Sequence, residues 1–282
     1  MTTPHSVGIG VGPITNAASR CKSPEELLAH YSRNAEEFDK EVENSPCKKA
    51  QVTAQFVSEV VTDRKARILD VAAGTGRLGH LLRKAGFDNL DAIDGASGMR
   101  QIAVKRQTYA NYFLETLHPN KPSESLKPQT YDVITCSGAF GPGHLDYTHL
   151  NAVIACAKPG ALFIFCAMLT KERAEAFLAM PGAEKTILQE DSDQALVNFL
   201  IDFRNKQVQL ALEGRWSLQS ARFESDAFLA KQKFGLLQCW RIDKPVKEEK
   251  EKSASDRTVT DTDVRRVFAL LIGQWDQFVL NI

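Results

Sequence analysis

The chain has 282 residues, of which 43% are hydrophobic, and 35 basic side chains balance 35 acidic ones for a formal net charge of zero. That length suits one full-sized domain with extensions or two small ones, and the apolar share is enough to build a core instead of a disordered chain. Zero net charge removes the electrostatic footprint of a protein that lives on a nucleic-acid backbone, and no apolar run approaches the roughly 20 residues of a membrane span.

The first twenty residues lack the basic start and continuous apolar centre of a signal peptide, so a cytoplasmic protein is expected, with neither nucleic acid nor membrane as its partner. Six cysteines, at positions 21, 47, 136, 156, 166 and 239, form no CxxC pair. They read as buried thiols, and no metal site is expected.

Residues 1–22 read as a flexible N-terminus. Ser23-Pro24-Glu25-Glu26 then has the form of a capping box with proline in the first turn. Leu27, Tyr31, Ala35, Phe38 and Val42 follow at helical spacing, which one long helix or two short ones would satisfy. A second amphipathic stretch runs from Cys47 to Val61.

From there strands and helices alternate. ARILDV at 66–71, LDAID at 90–94, YFL at 112–114, YDVITC at 131–136 and ALFIFCAML at 161–169 read as strands. Leu78, Leu81, Leu82 and Ala85 line a helix that Gly86 ends, residues 98–107 can be helical, and Leu150, Val153 and Ile154 mark a helix ending at Lys158-Pro159-Gly160. Strands that are apolar throughout need helices on both faces, so the chain is an α/β protein with a mostly parallel sheet.

After a helical region between about 171 and 212, RWSLQSARF and FGLLQCWRI read as two strands that can form an antiparallel edge. A domain over 23–243, with a helical cap at its start, is followed by a charged linker at 244–263. Val264, Val267, Phe268, Leu271, Trp275 and Phe278 then predict a final amphipathic helix over 264–282, expected to dock on its own domain or on a second copy because an isolated short helix is marginal in water.

The most informative segment is Asp70-Val71-Ala72-Ala73-Gly74-Thr75-Gly76-Arg77-Leu78-Gly79, the turn from the first strand into the first sheet helix. Gly74 and Gly76 let a ligand approach the main chain, and the crevice at the carboxyl ends of the strands, where strand order reverses, is the usual ligand site of such a sheet. Asp70 ends the first strand. Asp94 ends the next one, placed to accept hydrogen bonds from two ribose hydroxyls.

A glycine loop with a downstream acid also occurs in dinucleotide-binding domains. Asp70, however, would sit close to a pyrophosphate, where like charges cost binding energy. A ligand with an amino group and no phosphate suits that carboxylate better.

The loop, followed by Asp94-Gly95-Ala96-Ser97-Gly98-Met99, resembles the class I S-adenosylmethionine-dependent methyltransferases. Further likenesses are Tyr131-Asp132 opening the fourth strand, Ser137-Gly138-Ala139-Phe140-Gly141-Pro142-Gly143-His144 after it, and Lys158-Pro159-Gly160 before the fifth. Tyr31 and Phe38-Asp39 resemble a segment that precedes such domains. The likeness extends over about 24–242.

It implies a doubly wound, seven-stranded, mostly parallel Rossmann-like sheet with an antiparallel edge hairpin, and S-adenosylmethionine as cofactor. Asp70 would orient the amino group and Gly74 and Gly76 pass beneath the carboxypropyl chain, with Ala72 and Thr75 in the same loop. Asp94 would hold the ribose, with Gly95 beside it. Ala96 or Met99 would pack near adenine, Glu115 near its amino group, Ser137 and Gly138 at the methionyl end, and Tyr31 over the cofactor.

Methyl transfer is an in-line displacement that needs alignment first and a base only when the acceptor must lose a proton. His144, in a Gly-Pro-Gly turn at the presumed mouth, is the candidate catalytic base, or else a strut for its loop. His149 reads as solvated. The fourth strand is not followed by an Asn/Asp-Pro-Pro-aromatic loop, and Cys136 lies inside the strand, so neither base-amino nor cytosine-C5 methylation is indicated. A small-molecule methyl acceptor is expected, and a protein acceptor or a degenerate cofactor-binding subunit is the alternative. Monomer and homodimer stay equally open.

Overall fold

A computed structural model of the chain describes residues 12–18, 20–141, 143–180, 194–227, 233–244 and 258–279. The expectations for residues 1–11 and for most of the linker, 245–257, lie outside the described residues. So does the stretch 181–193 within the expected helical region.

Among the described residues four helices come before the sheet: α1 (Pro13–Ala18), α2 (Pro24–Arg33), α3 (Ala35–Asn44) and α4 (Lys49–Val60). The alternating part follows as β1 (Ile68–Val71), α5 (Arg77–Lys84), β2 (Leu90–Asp94), α6 (Ser97–Lys105), β3 (Asn111–Leu114), β4 (Tyr131–Ser137), α7 (Leu150–Ala155) and β5 (Ala157–Thr170). Then come α8 (Lys171–Phe177), α9 (Gln194–Leu212), β6 (Trp216–Glu224), β7 (Lys233–Ile242), α10 (Asp261–Val267) and α11 (Ala269–Val279).

The seven strands form one sheet in the order β3-β2-β1-β4-β5-β7-β6. The first five are parallel, and β7 runs antiparallel to both β5 and β6. This is the α/β architecture expected, with the antiparallel pair at one edge. The chain leaves β3 on one side of β1 and returns on the other as β4, so strand order reverses between β1 and β4, where the carboxyl ends of an open parallel sheet form a crevice.

The core has two main parts, one on each face. β1 alternates between them: Ile68 joins Val52, Phe56 and Val57 of α4 and Leu78 and Leu82 of α5, while Leu69 and Val71 join Leu150 and Val153 of α7 and Phe203 of α9. Helices therefore cover both faces, as strands with no polar side require.

Several local expectations change. Pro13–Ala18 is a helix inside the stretch read as flexible, because the Glu41 carboxylate of α3 accepts from the backbone N–H groups of Ile14 and Thr15 and so caps its first turn. The amphipathic pattern after Ser23 resolves into two helices, and Ser23 caps the first by accepting from Glu26 N–H at 3.2 Å. Lys158-Pro159-Gly160 does not end a helix but lies within β5. The β4–β5 register shifts between Tyr131 and Val133, and Gly160 takes φ +83°, the irregularity that admits a proline into a strand.

The terminal pattern forms two helices instead of one, divided at Phe268. Both lie on the same domain, with Val264, Phe268, Leu271 and Trp275 buried among Trp240, Phe177, Phe223 and Phe234. Among the described residues no helix is long and apolar enough to cross a membrane.

Candidate active site

The crevice is built on the turn from β1 into α5. Ala72, Gly74 and Gly76 all take positive φ, at 52°, 55° and 80°. For Ala72, which carries a Cβ, the left-handed region costs of order 1 kcal/mol or more, so the surrounding structure holds the loop in a path the residue would not choose alone.

Three side chains from outside the loop hold it. Asp39, next to Phe38 on α3, accepts from Thr75 Oγ1 at 2.7 Å and pairs with Arg77 at 3.3 Å and Arg106 at 2.5 Å. Arg106 also donates from Nε to the Thr75 carbonyl at 2.9 Å. Tyr112 on β3 donates its hydroxyl to the Gly74 carbonyl at 2.9 Å.

Two carboxyl groups sit at neighbouring strand ends. Asp70 is buried beneath the loop and accepts from Tyr109 Oη at 2.6 Å and Thr135 Oγ1 at 3.2 Å. Burial pushes its pKa up to about 7, the two hydrogen bonds pull it down, and the charge of Asp94 raises it further. Asp94 on β2 accepts from Gly74 N–H at 2.9 Å and Ala96 N–H at 2.8 Å. Burial raises its pKa as well, against those two hydrogen bonds. Neither carboxylate takes part in an ion pair among the described residues.

The cap helices close over the β2 end of this crevice. Leu28, Tyr31 and Phe38 pack on Met99, Ala96 and Ile102 of the α6 region, and Gly95 lies against Leu28 and Thr116. Tyr31 is half-buried, its ring 5.6 Å from Phe38 edge to face, and its Oη is 3.0 Å from His144 Nε2. His144 lies at the tip of a tight loop in which Leu145 N–H donates to the Ala139 carbonyl and Gly141 N–H to the Leu145 carbonyl.

On the far side Ser137 Oγ and Thr53 Oγ1 of α4 are 3.3 Å apart, and Gly138, at φ +83°, lies against the Lys49 side chain. Glu115 caps the 123–125 turn: it accepts from Ser123 Oγ and from the N–H groups of Glu124 and Ser125. Burial works upward on its pKa, but the Ser125 side chain first, and then the backbone N–H groups of Glu124 and Ser125 and the Ser123 hydroxyl, hold it below the ordinary value.

The structure thus places Tyr31, Asp70, Ala72, Gly74, Thr75, Gly76, Asp94, Gly95, Met99, Ser137, Gly138 and His144 around the carboxyl ends of β1, β2 and β4. The Thr75 hydroxyl is committed to Asp39, and Met99 is buried under the cap. His149, read as solvated, is buried instead, because its Nδ1 and Asp146 close a capping box at the start of the helical segment before α7. Cys136 is buried, and burial raises its thiol pKa.

Nothing in the sequence alone marks Tyr109, Tyr112, Arg106 or Lys49 as part of this site. Only Asp39 carried a signal, through its place after Phe38.

Residues 39–200, more than half of the chain, match the family model described as a methyltransferase domain. Human methyltransferase-like protein 27 is 30% identical over 139 residues, which are 48% of this chain and 55% of that protein. The chain therefore spans about half the length of this curated relative. Among solved structures, the [4+2]-cyclase SpnF covers 80% of this chain and 98% of its own at a TM-score of 0.56 and 12% identity. The Burkholderia thailandensis 1,6-didemethyltoxoflavin-N1-methyltransferase, solved with 1,6-didemethyltoxoflavin and S-adenosylhomocysteine, covers 79% and 91% at a TM-score of 0.52 and 13% identity. At such identities these two likenesses speak for the fold alone. The matched span holds the glycine loop, both strand-end acids and the β4 loop on a class I sheet, and the chain belongs to the methyltransferase domain family.

Proposed function

We propose that the chain binds S-adenosylmethionine against the glycine loop and transfers its methyl group to a small-molecule acceptor in the cytoplasm. The observation that carries this reading is the pair of carboxyl groups, Asp70 buried and Asp94 half-buried, at the ends of neighbouring parallel strands without an ion pair among the described residues. Burial disfavours their charged forms, and a cationic ligand restores them. S-adenosylmethionine brings an ammonium, two ribose hydroxyls and a sulfonium carbon that is open to nucleophilic attack.

In this reading Asp70 takes the amino group. Each Asp94 oxygen spends one lone pair on the backbone and keeps another for a ribose hydroxyl. Ala72, Gly74, Thr75 and Gly76 line the path of the methionyl chain, with Ser137 and Gly138 at its end. Gly95 and Met99 border the adenine, and Glu115 Oε1, which accepts one backbone hydrogen bond, has a lone pair left for the adenine amino group.

His144 is the base, and Tyr31 closes the mouth above it. A mouth spanned by the Tyr31–His144 contact suits a small acceptor better than an extended polypeptide. The test is calorimetric titration with S-adenosylmethionine, S-adenosylhomocysteine and NAD, followed by incubation of the protein and labelled methyl donor with a cell extract. Binding of the first two but not NAD, with label in the small-molecule fraction, is expected. Label in protein alone would overturn the acceptor class, and failure to bind the first two would overturn the cofactor.

A further inference from the structure

The Tyr31–His144 contact has a chemical consequence for the imidazole, given the reading of His144 as base. Tyr31 Oη carries one proton, and burial raises its pKa, so the phenol keeps that proton near neutral pH. A half-buried O–H left without an acceptor loses a hydrogen bond's worth of stability. The partner recorded for this hydroxyl among the described residues is His144 Nε2, at 3.0 Å. For the phenol to donate there, Nε2 must present a lone pair, and a neutral imidazole then carries its hydrogen on Nδ1.

Tyr31 is not free to slide away from this task. The next residue, Ser32, brings its carbonyl oxygen so close to α6 that a Cβ built on Gly98 would lie 2.0 Å from it. Only glycine at 98 permits that approach, which sets α2 against the helix that follows Asp94. On the other side Phe38 meets the Tyr31 ring edge to face. The hydroxyl is therefore aimed from a fixed helix across the mouth to a short constrained loop.

We infer that Tyr31 is the positioning residue of His144: it holds the neutral imidazole in the Nδ1–H form, so that Nε2 is the atom that takes the acceptor's proton. An acceptor hydroxyl, amine or thiol that displaces the phenol meets that lone pair already turned toward the cap. As the new bond to the methyl carbon forms and the carbon–sulfur bond breaks, the electron pair of the broken bond stays on sulfur. The acceptor's proton passes to Nε2, which leaves a neutral thioether and an imidazolium.

The test is long-range proton–nitrogen correlation spectroscopy of the full chain without ligand, with the His144 ring signals assigned by their loss in His144→Asn. In the wild type above its titration, His144 should show a protonated Nδ1 and a bare Nε2. In Tyr31→Phe, which keeps the ring against Phe38, that preference should be lost and an Nε2–H population should appear. A wild-type His144 in the Nε2–H form, or a tautomer unchanged by Tyr31→Phe, would overturn the assignment. Titration of the same samples with S-adenosylhomocysteine separates this result from the cofactor reading: if the wild type fails to bind it, that reading falls, while the tautomer still decides the role of Tyr31.

Discussion

Asp39 on α3 and Thr75 in the glycine loop, 36 positions apart, are joined by a 2.7 Å hydrogen bond, and Arg77 and Arg106 converge on the same carboxylate. The cap helices are thereby tied to the loop that would carry the cofactor.

Asp39→Ala removes the acceptor for Thr75 and leaves Arg106 without its carboxylate. Charge-assisted hydrogen bonds of this kind contribute about 1.5 to 3 kcal/mol, and the orphaned groups add a desolvation cost. We expect a fall in stability of about 2 to 3 kcal/mol by urea denaturation. Weaker S-adenosylhomocysteine binding should accompany it, because Ala72 is then less firmly held at positive φ. A loss of stability with unchanged affinity would separate Asp39 from the loop's function.

Asp94→Ala should weaken S-adenosylmethionine binding by roughly 10 to 150 fold, the equivalent of about 1.5 to 3 kcal/mol. The structure adds a second effect. Gly74 and Ala96 N–H also lose their acceptor, so the melting temperature should drop as well. Calorimetric titration and thermal unfolding of the same sample measure the two effects, and unchanged affinity would remove Asp94 from the ribose.

Cofactor binding should depend on pH through Asp70. Its pKa in the ligand-free protein is about 7, and a bound ammonium lowers it, so binding at pH 6 expels a proton. Affinity should therefore rise with pH, by up to about tenfold per unit, and level off above the ligand-free pKa. The same shift makes the empty protein less stable as pH rises from the ordinary carboxyl range toward 7, because the folded state binds the extra proton. Titration in buffers of different ionisation enthalpy measures the released proton directly, and Asp70→Asn should flatten the profile.

His144→Asn should lower single-turnover methyl transfer by about 10² to 10⁴ and leave cofactor affinity nearly unchanged, if the acceptor must lose a proton. If neutral imidazole takes the proton, wild-type activity should rise with pH and His144→Asn should lose that rise. A near wild-type rate with the same profile would leave His144 as a strut for its loop.

Trp275→Ala tests the docked C-terminal helices. Trp275 is buried against Phe223 and Phe234, and removing a buried tryptophan costs about 3 to 5 kcal/mol. The melting temperature should fall without a change in cofactor affinity measured below the transition. Truncation at Lys244 should be more damaging, since it also exposes the side chains that Phe268 and Leu271 cover.

What could be read from the sequence follows the range of the interactions. LDAID gives β2 its whole length because an apolar run between turn residues reflects only burial. The glycine loop was legible because backbone conformation and residue type are locally coupled there. Asp70 and Asp94 were legible because strand ends in a parallel sheet share one edge.

Tyr109 was not legible. Its hydroxyl meets Asp70 across 39 positions, from a stretch without periodicity, and nothing local distinguishes a phenol that crosses the fold from one that stays in solvent. Pro159-Gly160 misled for the opposite reason. Locally it is a turn, but pairing of Ala157 with Tyr131 and of Leu162 with Val133 carries the strand across it.

The burial of Phe268 and Trp275 in the same cluster as Val71 has a consequence for the order of folding. Residues 66–170 can pair their parallel strands as they leave the ribosome, and α9 covers part of one face of β6 and β7 through Gln207, but Phe223 and Phe234 on that face lack their Trp275 contact until residue 275 has emerged. During that interval Phe223 and Phe234 present an open aromatic surface beside an edge strand, the kind of exposure that draws chaperones or aggregation.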